Sequence, residues 1–124
     1  MRCLLDTHAF LWWVSDDPNL GSAARGLIGD AEVEVFVSAA TVWEIAIKTT
    51  LGKLEFDADP LTEIKANGMR ELAMTGRHAL AAGSLPRYHD DPFDRMLIAQ
   101  AQIESMILVS RDSQLRQYGV DLVF

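Results

Sequence analysis

Short apolar runs alternate with segments of helical period along this chain, and that alternation limits the fold more than any other feature. Arg2–Leu5 reads as a buried strand, followed by a helix over His8–Val14 and a turn at Asp16-Asp17-Pro18-Asn19. Leu20, Ala23, Ala24, Leu27 and Ile28 make one helical stripe, and Val33–Val37 reads as a second strand. Ser38 is placed to cap a helix running to Leu51, with Gly52 as its stop. Asp59-Pro60 opens another helix and Gly68 ends it; Glu71–Met74 reads as a third strand. Thr75 caps a helix reaching Ala82, and Gly83–Asp90 is a loop. Asp91-Pro92 opens the next helix, with Phe93, Leu97, Ile98 and Ala101 turned to the core. Ile107–Val109, a short helix over Asp112–Gln117 and a last strand over Val120–Phe124 complete the pattern. Strands that alternate with helices favour a parallel sheet covered on both faces. The expected class is α/β, a three-layer α/β/α sandwich around a mainly parallel sheet.

The length of 124 residues suits one domain over residues 1–124, and a hydrophobic share of 49% suits a folded chain. No apolar run reaches membrane-spanning length, and the first strand begins too close to Met1 to leave room for a secretory leader. A cytoplasmic protein with no membrane partner is expected. The one cysteine, Cys3, falls inside a buried strand and reads as a small hydrophobe. A net charge of −7 argues against a broad basic face for nucleic acid. It is compatible with carboxylates concentrated around a cation, or with a basic partner.

Asp6, Glu44, Asp94 and Asp112 stand where the chain leaves a strand or starts a helix. Asp6 follows the run Cys3-Leu4-Leu5 and Asp112 follows Met106–Val109, so both belong at the carboxyl edge of a parallel sheet, where ligands collect. In a doubly wound order their strands would be neighbours. Either aspartate could also be a plain helix cap. Glu44 lies among Val42, Trp43, Ile45 and Ala46, so it is either a buried acid needing a partner or half of a pair with Lys48. Asp91 reads as the cap of the following helix, which leaves Asp94 for chemistry. Four crowded carboxylates repel one another, which is the physical reason to infer a cation. Oxygen donors favour Mg²⁺ or Mn²⁺, and no cysteine–histidine set has zinc spacing. Thr7 and Ser110 supply hydroxyls beside Asp6 and Asp112; Lys48, Arg95 and Arg111 are candidate phosphate contacts. Of His8, His78 and His89, only His89 falls near the acidic loop, where a solvated side chain is expected.

The residues now carry a resemblance. Leu4-Leu5-Asp6-Thr7-His8, then Ser38–Lys48 with Trp43-Glu44-Ile45, Leu51-Gly52-Lys53-Leu54, Asp91-Pro92-Phe93-Asp94-Arg95 running on to Ala101, and Ser110-Arg111-Asp112 occur in this order over nearly the whole chain. Together they resemble the PIN-domain ribonucleases, in particular the VapC-type toxins of type II toxin–antitoxin pairs. The resemblance implies that Asp6, Glu44, Asp94 and Asp112 form the family's acidic quartet, with Asp6 and Asp94 foremost as metal ligands. It also implies metal-dependent endonucleolytic cleavage of RNA, a VapB-type antitoxin as partner, and a homodimer. Many relatives carry threonine where Ser110 stands; serine keeps the hydroxyl.

Two other readings compete. An aspartate-nucleophile phosphotransferase also begins with an apolar strand ending in aspartate, but it needs a second aspartate where His8 stands. A non-catalytic acidic module for a basic partner would make all four acids incidental. Trp12 and Trp13, adjacent on one helix, cannot both face one core; a dimer surface, or one packed and one half-exposed, is the expectation, with RNA stacking favoured least.

Overall fold

A computed structural model describes residues Met1–Phe124. Five strands form one sheet: β1 (Arg2–Leu5), β2 (Glu34–Ser38), β3 (Arg70–Leu72), β4 (Ile107–Val109) and β5 (Leu122–Val123). Their order is β3-β2-β1-β4-β5 and every pairing is parallel. Six helices accompany them: α1 (Thr7–Val14), α2 (Ser22–Ile28), α3 (Ala39–Thr50), α4 (Pro60–Ala66), α5 (Gly76–Ser84) and α6 (Pro92–Glu104). A 3₁₀ helix spans Ser113–Tyr118, where the sequence suggested an ordinary short helix.

Strand alternation divides the core in two. Cys3, Leu5, Val35, Val37 and Val109 face one layer, with Ala9, Phe10, Ala24, Ile28, Ile45 and Ile64 from α1–α4 packed on them. Leu4 and Leu108 face the other, against Leu97, Ile98 and Ala101 of α6 and Leu115 of the 3₁₀ helix. A strand period of two sends neighbours to opposite faces, so runs apolar at every position require helices on both sides. The α/β/α sandwich with a parallel sheet is the fold. No helix is long and apolar enough to cross a membrane.

The punctuation residues act as their chemistry dictates. Ser38, Asp59, Thr75 and Asp91 each accept a backbone N–H from the first turn of the helix they precede. Gly52 and Gly68 hold φ near +71° and +69°, a left-handed conformation that terminates α3 and α4. Element ends moved by a few residues. The last strand is confined to Leu122–Val123, and α5 continues to Ser84, whose hydroxyl bonds the Leu80 carbonyl, before Pro86 prevents extension.

Beyond the site, two residues have structural roles. Cys3 is fully buried and its thiol is pushed up to about 11 by burial, leaving it inert. His78 closes a capping box with Thr75 and reaches Glu104 at 3.0 Å, clipping α5 to α6.

Candidate active site

β1 and β4 lie side by side, with Leu5 opposite Val109, so Asp6 and Ser110 leave the sheet together at its carboxyl edge. The Asp6 N–H donates to the Val109 carbonyl at 3.0 Å, so the first residue beyond β1 is still tied to β4. Asp112 follows one residue after Arg111. Helix α3 brings in Glu44 and α6 brings in Asp94. All four acids line one cleft of about 310 Å³ with Thr7, Lys48, Asp91, Ser110 and Arg111.

Each acid is held differently. Asp6 is buried and caps α1, its Oδ1 accepting the Ala9 N–H at 2.8 Å. Capping and facing the cleft are therefore compatible. Burial raises its pKa, against the opposing pull of the Ser110 hydroxyl, the Ala9 N–H and His8. Glu44 is 5% exposed and has both oxygens engaged. The Thr7 hydroxyl donates to Oε1 at 2.5 Å and the Lys48 ammonium to Oε2 at 2.5 Å. The bond to Glu44 raises the Lys48 pKa. Asp112 caps the 3₁₀ helix, its Oδ1 accepting the Gln114 N–H at 3.0 Å and its own N–H donating to Ser110 Oγ at 3.1 Å.

Asp94 is also strongly perturbed. Burial and the neighbouring Asp91 push its pKa up to about 7, opposed by His89; Asp6 and Glu44 push it further up. Asp91 caps α6 as expected, accepting the Phe93 and Asp94 N–H groups at 2.8 and 3.3 Å, yet it also faces the cleft.

The histidine of the loop is not solvated. His89 Nε2 lies 3.1 Å from Asp112 Oδ2 and 3.2 Å from Asp94 Oδ2, and its side chain is 19% exposed. Its Nδ1 accepts the Asp91 N–H at 3.1 Å. An acceptor at Nδ1 places the ring proton on Nε2, so the imidazole donates to both carboxylates. One atom each of His89, Asp94 and Asp112 lie within 4.8 Å of one another, a spacing suited to a metal site. In this tautomer the carboxylates, not the imidazole, carry the free lone pairs. A divalent cation fits the donor set: carboxylate oxygens gathered in one cleft, two of whose acids resist ionising, first because they are buried and then because other carboxylates lie near.

Arg95 is not at the site. Its guanidinium donates to the carbonyls of Ala82, Leu85, Pro86 and His89 at 2.9 to 3.2 Å, clamping the α5–α6 loop. One step along a helix from Asp94 rotates a side chain about 100° away, so adjacency in sequence did not mean adjacency in space. Arg111 lies over the Trp12 ring, 4.9 Å from its centroid, and both line the cleft with His8. Contrary to the expectation that they could not share one core, Trp12 and Trp13 both pack, half-buried, at the edge of the core layer of α1–α4, and Trp13 donates to Asn67 at 3.2 Å. From the sequence, contact of Trp12 with RNA was the least favoured reading and His8 was not placed at the site; the structure puts both in the cleft. His8 could have been read from its position two residues beyond Asp6, on the first turn of α1.

Residues 3–121 match the family model of the PIN domain. The chain belongs to the PIN domain family. It is 30% identical over 118 residues to ribonuclease VapC22 of Mycobacterium tuberculosis, covering 93% of this chain and 90% of that protein. Among solved structures, VapBC2 of Rickettsia felis bound to a promoter DNA fragment superposes with a TM-score of 0.71 at 12% identity, covering 99% of this chain and 98% of that one. A toxin–antitoxin complex from Klebsiella pneumoniae gives 0.63 at 14% identity, covering 98% and 96%. These superpositions share the PIN fold with this chain. Membership of the PIN domain family removes the aspartate-nucleophile alternative, consistent with histidine at position 8.

Proposed function

We propose that this PIN-domain protein is a metal-dependent endoribonuclease and the toxin half of a type II toxin–antitoxin pair. The observation that carries the reading is the convergence of Asp6, Glu44, Asp94 and Asp112 on one cleft, with Asp94 pushed up to about 7 by burial and then by its acidic neighbours. The ribonuclease name of the VapC22 relative supports the substrate class, and the toxin–antitoxin complexes that share the fold support a VapB-type partner.

Asp6, Asp94 and Asp112 would hold Mg²⁺ or Mn²⁺, which supplies a bound water of lowered pKa and polarises a phosphoryl oxygen. The protein's own groups prepare that site. Thr7 and Lys48 fix both oxygens of Glu44 and offset its charge. His89 donates to the carboxylates of Asp94 and Asp112 and sets their angle to each other. Arg111, which forms no salt bridge, is the cation at the cleft to which a phosphate can come, while Lys48 is paired with Glu44. A basic group of the antitoxin, seated among the same carboxylates, would block the cleft; inhibition that survives removal of the antitoxin's basic residues would contradict this. A homodimer completes the proposed assembly.

The test is cleavage of a labelled total-RNA pool by purified, antitoxin-free protein with Mg²⁺, with Mn²⁺ and with chelator, beside Asp6→Asn and Asp94→Asn. Discrete fragments that need metal and vanish in both variants are expected. No fragments from folded protein under any condition would overturn the reading and favour an acidic binding module.

A further inference from the structure

Beside its carboxylates, the cleft is lined by His8, Trp12 and Arg111, which meet one another, and Trp12 is the single apolar residue among the eleven that line it. The indole is held rather than loose: its ring meets Phe124 edge-on at 5.9 Å, and the His8 ring lies 5.4 Å away at 36°. Arg111 is exposed and sits within a strongly acidic neighbourhood, yet it takes part in no salt bridge and lies over the indole instead. Lys48, by contrast, is committed to Glu44. The structure thus keeps one cation uncommitted, stacked on an aromatic plane, beside the acids.

We propose that the Trp12–Arg111 stack is a nucleotide subsite that takes one unpaired nucleobase of the RNA strand being cut. This rests on the ribonuclease reading and names residues that would hold its substrate. Every base has a π face, and aromatic and guanidinium planes bind that face without regard to sequence. A base inside a duplex has both faces covered by its neighbours and cannot reach a wall within a concave cleft; an unpaired base can be splayed onto it. A cleft of about 310 Å³ is large enough for an organic ligand and not only for an ion. With the base on the stack, the Arg111 charge is available to the strand's phosphate, while the adjoining phosphate falls over the carboxylates.

The test uses the inactive Asp94→Asn protein and a labelled single-stranded RNA that the wild type cleaves, with affinity read by fluorescence anisotropy. Trp12→Ala and Arg111→Gln should each weaken binding about tenfold, and Trp12→Phe less than threefold. A single abasic nucleotide moved along the strand should weaken binding about tenfold at one position beside the cut. At that position it should add nothing to Trp12→Ala, a coupling that mere loss of packing would not produce. The fully paired duplex should bind no better than the single strand binds to Trp12→Ala. If Trp12→Ala fails to fold, Arg111→Gln and the abasic scan carry the test. Unchanged affinity in the folded variants, or a flat abasic scan, overturns the subsite while cleavage by the wild type stands. Absence of cleavage by the wild type on every RNA overturns the ribonuclease reading and this inference with it.

Discussion

His89 Nε2 lies 3.1 Å from Asp112 Oδ2. A loop imidazole thereby joins the acid that follows β4 to Asp94 at the start of α6, and the ring's orientation is set by the Asp91 N–H on Nδ1. Donors that orient metal-binding carboxylates typically matter by one to two orders of magnitude. His89→Ala should therefore lower RNA cleavage about tenfold or more, with little change in melting temperature. His89→Gln, which retains an N–H donor, should recover part of the loss. Equal activity in wild type and His89→Ala would show that the two acids need no bridging donor.

Asp94 resists ionising in the fold. Its pKa stands at about 7 against an ordinary 3.8, so the unfolded chain gives up this proton more readily than the folded one. The penalty is absent below pH 4, grows as pH rises toward 7, and is constant above. In chelator at pH 8, Asp94→Asn should be more stable than the wild type by roughly 2 kcal/mol, less than the full shift implies because the acid also favours its helix N-terminus. The gain should disappear near pH 4. Urea denaturation at both pH values measures it, and a less stable variant at pH 8 would mean that the carboxylate is well accommodated without a cation.

A bound cation should reverse that penalty. Mg²⁺ or Mn²⁺ at about a hundred times its dissociation constant stabilises the folded state by about 2.7 kcal/mol. Thermal melts should shift upward with either ion in the wild type and much less in Asp94→Asn or Asp6→Asn. An equal shift in all three would place the ion elsewhere.

Arg95 bridges the carbonyls of Ala82 and Leu85 at the end of α5 to those of Pro86 and His89. Tyr118 supports the same loop, donating its hydroxyl to Pro86 and accepting the His89 N–H at 2.9 Å. Arg95→Ala leaves the Leu85 and His89 carbonyls without a donor, while Pro86 keeps the Tyr118 hydroxyl and Ala82 the Leu85 N–H, and should cost about 2 kcal/mol by urea denaturation. Arg95→Lys should recover little, since one ammonium cannot span carbonyls held in a planar fork. Full stability in Arg95→Lys would contradict the clamp.

The parts of this protein that were legible in the sequence are those fixed by short-range chemistry. The continuously apolar runs Cys3–Leu5, Val35–Val37 and Ile107–Val109 required two helical layers, and Ser38, Asp59, Thr75 and Asp91 marked helix starts because a cap is a local bond. Asp6, Asp94 and Asp112 were visible because each sits at an element boundary; Glu44, expected in a first helical turn, lies in the middle of α3 and was visible as an acid among apolar neighbours. Their partners were not. His89 bonds acids five and twenty-three residues away, and Trp12 meets Arg111 only because β1 pairs with β4. Arg95 was placed in the site by its neighbour Asp94, whereas helix geometry turns it to the α5–α6 loop. Such relationships depend on tertiary closure, which no local pattern encodes.

Glu44 and Lys48 provide the last test. The carboxylate is buried, while the Lys48 side chain is 39% exposed, so the pair is half-solvated. Lys48→Met leaves Glu44 Oε2 without its cation and should cost about 1–2 kcal/mol, short of the figure for a fully buried pair. The double variant with Glu44→Gln should regain much of this, since the uncompensated charge is gone. The pH dependence follows from the direction of the shift. Lys48 is raised above its ordinary 10.5, so the pair's contribution is fully present below that value and is lost only as pH climbs through the higher folded pKa. The difference between wild type and Lys48→Met should be flat from pH 7 to pH 9 and narrow above about 10.5. A difference that already fades by pH 9 would mean that Lys48 is not held by Glu44 in solution.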